Sequence, residues 1–100
     1  MNVPLLDVNA QNHPIAGELR EAFERVLASG RFIMGDEVES FEQSMVDYLG
    51  VNYAIGVSSG TDSILLALMA MGIGPGDEVI CPSFTFFATG GCIARTGATP

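Results

Sequence analysis

The turn at residues 58–62, Ser-Ser-Gly-Thr-Asp, is the part of this sequence best suited to bind a small anion. It lies between an apolar run that predicts a buried strand and an apolar run that predicts a helix. Small residues allow a sharp turn and leave N–H groups free at the helix start, where the macrodipole places roughly half a positive charge. These donors and the hydroxyls would bind a phosphate without any lysine. The local sequence also allows a simpler interpretation, in which Ser59, Thr61 or Asp62 only caps the helix.

A run of aromatic residues, Phe84-Thr85-Phe86-Phe87, is the second candidate feature. It follows the next predicted strand, and ligands of open parallel sheets bind beyond the carboxyl ends of the strands. The aromatic run and the Ser-Gly-Thr-Asp turn would then line one crevice, where a phenylalanine stacks on a flat ring. The alternative that the sequence leaves open is ordinary packing of these rings in the core.

The composition limits the chemistry that this chain can perform. Its 100 residues form one domain or part of one, and 12 acidic residues against four basic ones give a formal charge of −8. This acidity argues against nucleic acid and anionic membranes as partners, because both require clustered positive charge. All four basic residues are arginines, so the chain has no lysine and cannot form a Schiff base by itself.

Other residue types exclude further classes of protein. Cys81 and Cys92 are too far apart for a Cys-x-x-Cys motif, and the single histidine, His13, has no partner near it in sequence, so we expect no metal site. The longest apolar run, residues 64–71, is far shorter than the roughly 20 residues that cross a bilayer. The chain start has no basic secretory signal. We therefore expect a cytoplasmic protein with reduced cysteines.

The spacing of apolar residues predicts helices that alternate with short strands. Residues 1–12 are expected to be irregular. We expect helices from Pro14 to Ser29, after an N-cap at Asp36 and up to Leu49, over 61–71, and over 88–95. We expect strands at 53–57 and 78–81, a turn at 74–77, and a further strand after a turn that begins at Gly97. This order predicts an α/β fold with a mainly parallel sheet flanked by helices.

Short motifs spread over nearly the whole chain resemble the start of one family when taken in order. They are Pro4-Leu5-Leu6-Asp7, Ser29-Gly30-Arg31-Phe32-Ile33 with Gly35, Phe41-Glu42, Tyr48-Leu49-Gly50, Ser59-Gly60-Thr61-Asp62, Gly72-Ile73-Gly74-Pro75-Gly76-Asp77-Glu78-Val79-Ile80, Thr85-Phe86 with Ala88-Thr89, and Gly97-Ala98 with Pro100. The family is that of the DegT/DnrJ/StrS sugar aminotransferases, which depend on pyridoxal 5'-phosphate.

The resemblance implies a fold and a set of site residues. The fold is that of a type I, aspartate aminotransferase-like transferase, and residues 1–100 would be the N-terminal portion of its pyridoxal-phosphate-binding large domain. Gly60, Thr61 and Asp62 would hold the cofactor phosphate, with Ser59 as a further candidate, and Phe86 would stack on the pyridine ring. The active site would lie between the two subunits of a homodimer.

The resemblance also implies an activity. The full-length family transfers an amino group, commonly from glutamate, to a keto sugar linked to a nucleotide. The lysine of this reaction would lie downstream, so no catalytic residue is assigned here and these 100 residues alone are expected to be inactive. Two alternatives stay open. One is a truncated, non-catalytic relative, and the other is a sugar dehydratase of the same family, in which another residue replaces the lysine.

Overall fold

The computed structural model describes residues 5–100, which divide into a first unit that ends at Gly56 and a second unit, Val57–Pro100. The first unit contains three α-helices: α1 (Val8–Asn12), α2 (Ala16–Ser29) and α3 (Asp36–Leu49). A 3-10 turn at His13–Ile15 joins α1 to α2. The second unit contains α4 (Gly60–Ala70) and α5 (Ala88–Thr96). All four predicted helices are therefore confirmed to within about two residues at each end, the usual uncertainty of helix boundaries.

The expected irregular segment 1–12 is partly wrong. Residues 1–4 lie outside the described part, but Val8–Asn12 is helical because the Asp7 carboxylate accepts a hydrogen bond from the Ala10 amide at 3.0 Å. An Asp at this position is a strong N-cap, and it provides an acceptor for one of the free amides of the first turn. Pro14 lies within the 3-10 turn, where its lack of an N–H group is tolerated.

The two long helices of the first unit end as predicted, but α3 does not begin as predicted. Gly30 and Gly50 follow α2 and α3 in the left-handed conformation, with φ of 67° and 65°. Gly35, and not Asp36, is the N-cap residue of α3, and no side chain caps this helix. Asp36 instead pairs with Arg31, which draws its carboxylate away from the helix amides.

The second unit holds a small apolar core. Leu68 of α4 and Cys92 and Ile93 of α5 are buried together with Ala98. The predicted turn at 74–77 is confirmed: the Asp77 amide donates to the Gly74 carbonyl at 3.0 Å. Gly76 has a φ of 98°, which a type II turn requires at its third residue.

The predicted strands are wrong for the part of the chain that the structure describes. Residues 53–57 have no ladder partners, and no segment of 5–100 forms a strand. The segment 78–81 contributes one isolated parallel bridge, between Glu78 and Thr99. In this bridge the Val79 amide donates to the Thr99 carbonyl and the Thr99 amide to the Asp77 carbonyl, both at 2.9 Å.

The strand predictions are wrong for a simple physical reason. A strand forms only where a neighbouring strand provides hydrogen-bond partners for its backbone groups. Residues 53–57 and 78–81 have the composition of buried strands but find at most one such contact among the described residues. The single bridge has the parallel sense that an α/β fold predicts. Within residues 5–100, no helix has the length and apolarity needed to cross a membrane.

Candidate functional site

The start of α4 combines a side-chain cap with two free amides. Ser59 is extended, its hydroxyl accepts a hydrogen bond from the Asp62 amide at 3.1 Å, and its carbonyl accepts one from the Ser63 amide at 3.0 Å. Ser59 therefore caps the helix, and its place among the candidate phosphate-binding residues stays a prediction. The amides of Gly60 and Thr61 find no acceptor among residues 5–100 and remain available to a ligand.

Asp62 is a charged acceptor beside these two donors. Hydrogen bonds from the hydroxyls of Ser58 and Ser59 lower the pKa of its carboxyl, burial opposes this, and the Arg95 charge adds the smallest lowering effect. The carboxylate is therefore ionised at neutral pH and cannot donate a hydrogen bond to an anion. Because its amide is already bound to Ser59, the direct donors in the turn are Gly60 and Thr61.

Thr61 and Phe86 lie on the wall of one cavity of about 350 Å³ in the second unit. Its lining residues are Thr61, Phe86, Phe87, Ala88, Gly91, Cys92, Ala94 and Arg95. Ser59, Gly60 and Asp62 are not among them, although they precede or follow Thr61 on the same turn. Phe86 and Phe87 are 78% and 86% exposed, so packing in the core does not explain these rings within the described structure.

The sequence interpretation missed the five wall residues of α5, which are Ala88, Gly91, Cys92, Ala94 and Arg95. Arg95 is the only basic residue of the second unit, and it lines the cavity near Asp62. Cys92 is 1% exposed, and its thiol donates to the Thr61 carbonyl at 3.3 Å, which ties α5 to the first turn of α4. The signal was present, because positions 88, 91, 92 and 95 repeat at the spacing of one helix face.

The wall fits a ligand that combines an anionic group with a flat ring. Amides at a helix start and the Thr61 hydroxyl suit the anion, and the exposed Phe86 ring suits the flat part. Pyridoxal phosphate has both parts. The residues present therefore fit pyridoxal phosphate, although the negative charge of the neighbouring Asp62 carboxylate repels an anionic group. The described residues contain no group of three His, Cys, Asp or Glu side chains placed to hold a metal ion.

A helix start with two free amides thus lies beside a cavity wall that contains aromatic side chains. The model of the DegT/DnrJ/EryC1/StrS aminotransferase family matches residues 14–100, and the chain belongs to this family. Aminotransferases of this family depend on pyridoxal phosphate as a general property.

Three related proteins show how far the similarity reaches. The dTDP-3-amino-3,4,6-trideoxy-alpha-D-glucose transaminase of Streptomyces venezuelae is 47% identical over 98 residues, which is 98% of this chain and 26% of that protein. A "Pleiotropic regulatory protein" of Geobacillus stearothermophilus is 47% identical over 100 residues, 100% of this chain and 27% of its own length. A crystal structure of a DegT DnrJ EryC1 StrS aminotransferase from Brucella abortus superposes with a TM-score of 0.93 at 43% identity, covering 99% of this chain and 26% of that one.

The chain thus spans about a quarter of the length of the relatives that it matches. The similarity to the crystal structure covers the whole described part, which includes the helix start and the cavity wall. The site residues assigned from the sequence are not tested by these similarities and stay predictions.

Proposed function

We propose that this chain is the N-terminal part of the cofactor-binding large domain of a pyridoxal-phosphate-dependent aminotransferase. The proposed substrate is a keto sugar linked to a nucleotide, and the proposed amino donor is glutamate. The observation that carries the proposal is the joint presence of Thr61 and Phe86 on one cavity wall, beside two amides without acceptors. The printed activity of the S. venezuelae relative, a transaminase of a dTDP-linked sugar, supports the choice of substrate class.

Each candidate residue has a separate role in this proposal. The amides of Gly60 and Thr61 and the Thr61 hydroxyl would bind the phosphate, and Phe86 would pack against the pyridine ring. Ser59 fixes the direction of the first turn through its bond to the Asp62 amide. Asp62 holds the Ser58 hydroxyl, which keeps the turn in shape. When bound, pyridoxal phosphate supplies the electron sink for amino transfer, while the protein positions it and excludes competing reactions.

The remaining parts of the proposal concern the whole protein. Because these 100 residues contain no lysine, the amine that attaches the cofactor would come from another part of the protein. We propose a homodimer with its active site between the subunits. We also propose a cytoplasmic location, which suits a protein whose two cysteines, Cys81 and Cys92, are unpaired.

The test is a titration of the whole protein with pyridoxal phosphate, followed by an assay with glutamate and a nucleotide-linked keto sugar. Thr61→Val, which removes the hydroxyl at constant shape, should weaken cofactor binding by about tenfold, as expected for a lost bond to a charged group. Thr96→Val is the matched control, because the Thr96 hydroxyl bonds only to the Ile93 carbonyl at 2.7 Å and lies outside the cavity wall.

The outcomes separate the alternatives. Glutamate-dependent amination of the sugar supports the proposal. Cofactor binding with loss of a sugar hydroxyl and no amination would indicate the dehydratase branch. Cofactor binding without either reaction would indicate a non-catalytic relative, and no cofactor binding at all would contradict the proposal as a whole.

A further inference from the structure

Helix α5 contains two consecutive glycines that differ in their surroundings. A Cβ atom added at Gly91 would lie 3.1 Å from Cε1 of the Phe87 ring and 3.5 Å from two further ring atoms. A Cβ atom added at Gly90 would meet nothing within 4 Å. Glycine is unfavourable inside a helix, so a glycine that faces a neighbouring ring has a packing reason that Gly90 lacks.

The contact follows from the geometry of the first turn of α5. Phe87 is the N-cap residue, and the Gly91 amide donates to its carbonyl at 3.0 Å. Residues four apart lie on the same face of a helix, so the Phe87 ring rests on the surface that Gly91 leaves bare. Phe87 is 86% exposed, and little else within the described structure restrains its ring. A methyl group at position 91 would displace the ring and would not be expected to break the helix.

Both partners of this contact line the cavity that contains Thr61 and Phe86, whereas Gly90 does not line it. A side chain at position 91 would act twice on this space. It would occupy part of the wall itself, and it would move Phe87 away from its position next to Phe86. The width of the cavity therefore depends on a hydrogen atom at this one position.

We propose that Gly91, by leaving room beside it, sets the position of Phe87 and keeps the cavity wide enough for a flat aromatic ring. The inference rests on the proposed function, in which that ring is the pyridine of the cofactor. Gly91 should affect binding of the pyridine ring and not of the phosphate, because the amides that would receive the phosphate belong to α4. Gly91 acts through Phe87 and is a positioning residue.

The experiment compares Gly91→Ala with Gly90→Ala in the whole protein, by titration of the cofactor-free form with pyridoxal phosphate and with inorganic phosphate. Gly91→Ala should raise the Kd of pyridoxal phosphate by about fivefold, at the low end of overpacking costs, because the exposed Phe87 ring can yield. The Kd of inorganic phosphate should not change, since the helix start is untouched. Gly90→Ala should leave both constants unchanged, and neither variant should lower the midpoint of thermal unfolding.

A double-mutant cycle with Phe87→Ala tests whether the effect passes through the ring. Without the ring, Gly91→Ala should raise the Kd of pyridoxal phosphate by less than it does in the unmodified protein, because the part of the effect that passes through Phe87 is lost. An undiminished effect in the Phe87→Ala background would overturn the inference. Equal behaviour of Gly91→Ala and Gly90→Ala would overturn it as well, while the proposed function would stand. Failure of the unmodified protein to bind pyridoxal phosphate would overturn both.

Discussion

The starts of α3 and α4 have similar backbones and opposite surroundings. In each helix the carbonyl of the N-cap residue, Gly35 or Ser59, accepts a hydrogen bond from an amide of the first turn. The first turn of α3 carries three acidic residues, Asp36, Glu37 and Glu39, and that of α4 carries only Asp62. The positive end of the α3 dipole is therefore already compensated by protein charge, which leaves an anion no favourable place there.

The difference extends to the charges around each start. Arg31 pairs with Asp36 and lies 3.8 Å from Glu39, and Arg25 pairs with Glu37 at 2.7 Å, so each acidic side chain of this first turn has an arginine partner within the first unit. At α4 the two free amides have one acidic neighbour, Asp62, whose carboxylate accepts a hydrogen bond from the Ser58 hydroxyl. A helix dipole by itself thus does not make an anion-binding site. Where acidic side chains already neutralise the positive end of the helix, a ligand gains little by binding there.

Helices α3 and α4 also differ in how deeply their leucines are buried. This difference leads to the largest expected effect on the free energy of unfolding. Leu68 of α4 is 6% exposed, whereas Leu49 of α3 is 57% exposed. Leu68→Ala should lower the free energy of unfolding by about 2–5 kcal/mol, because it leaves a cavity in the core. Leu49→Ala should cost less than about 1 kcal/mol. Urea unfolding of the whole protein measures both, and an equal loss at Leu49 would show that the α3 face is covered by further structure.

Making the start of α4 resemble that of α3 should separate binding from stability. Thr61→Glu adds a carboxylate beside the free amides, and it should weaken pyridoxal phosphate binding by about a hundredfold or more through charge repulsion. The same carboxylate favours the helix dipole, so the free energy of unfolding should stay constant or rise by about 0.3–1 kcal/mol. The neutral variant Thr61→Gln is the control. If it weakened binding as much as Thr61→Glu, charge would not be the cause.

Placing a serine cap on α3 should fail for a steric reason. Serine is a better N-cap than glycine in general, but a Cβ atom at Gly35 would lie 2.5 Å from the Arg31 carbonyl oxygen. Gly35→Ser should therefore lower the free energy of unfolding by about 1–3 kcal/mol, a typical cost of overpacking. Gly17→Ser is the control, since a Cβ atom there meets nothing within 4 Å. A stabilised Gly35→Ser variant would contradict this close approach.

Removing the cap of α4 should have a smaller effect. Ser59→Ala takes away the acceptor of the Asp62 amide and should cost about 1 kcal/mol in the free energy of unfolding. Ser63→Ala in the same turn removes only a bond from the Ser63 hydroxyl to the Gly60 carbonyl, and it should stay within about 0.5 kcal/mol of the unmodified protein. Thermal unfolding of the two variants distinguishes these results, and equal midpoints would argue against the cap.

The smallest expected effect is the change of stability with pH, which depends on the pKa values of Glu37 in α3 and Asp62 in α4. These two pKa values should respond differently to salt. The Arg25 ion pair lowers the pKa of Glu37, and hydroxyl hydrogen bonds from Ser58 and Ser59 lower that of Asp62. Each stabilising contribution is present above the unfolded value of about 4 and is lost as the pH falls through the folded pKa. In about 1 M salt, the pKa of Glu37 should rise towards its ordinary value while that of Asp62 stays low.

Titration of the carboxylates by nuclear magnetic resonance measures this contrast. Arg25→Gln should raise the pKa of Glu37 and leave the pKa of Asp62 unchanged. Ser58→Ala should raise the pKa of Asp62 and leave the pKa of Glu37 unchanged. If salt raised the pKa of Asp62 strongly, the Arg95 charge, and not the hydroxyl hydrogen bonds, would be the main cause of its low pKa.

Features that depend on a few neighbouring residues were predictable from the sequence. The ends of α2 and α3 and the turn around Gly76 were correct because the left-handed conformation there favours glycine. Ser59 was foreseen as one possible cap. The N-cap of α3 was predicted one residue late, because nothing in the local pattern shows that Arg31 draws Asp36 away from the helix.

Features that join distant parts of the chain were not predictable in the same way. The strands at 53–57 and 78–81 require partners that local composition cannot supply, so the sequence indicated candidates and not a sheet. The aromatic run was undecided between core and ligand wall, and the exposure of Phe86 and Phe87 argues against core packing within the described residues. The different roles of Gly90 and Gly91 follow from the place of the Phe87 ring, which sequence spacing does not reveal.

By itself the sequence determined helices α2 to α5 to within about two residues, the glycines that end α2 and α3, the turn before α4 and the lack of any lysine. These features depend on residue type and on hydrogen bonds between near neighbours. The tertiary structure decided that Thr61 and Phe86 share one cavity, although 25 positions separate them in the chain. The physical reason is the packing of α4 on α5 around Leu68, Cys92 and Ile93, which brings the two side chains to one wall. Burial of apolar area drives that packing without reference to sequence distance.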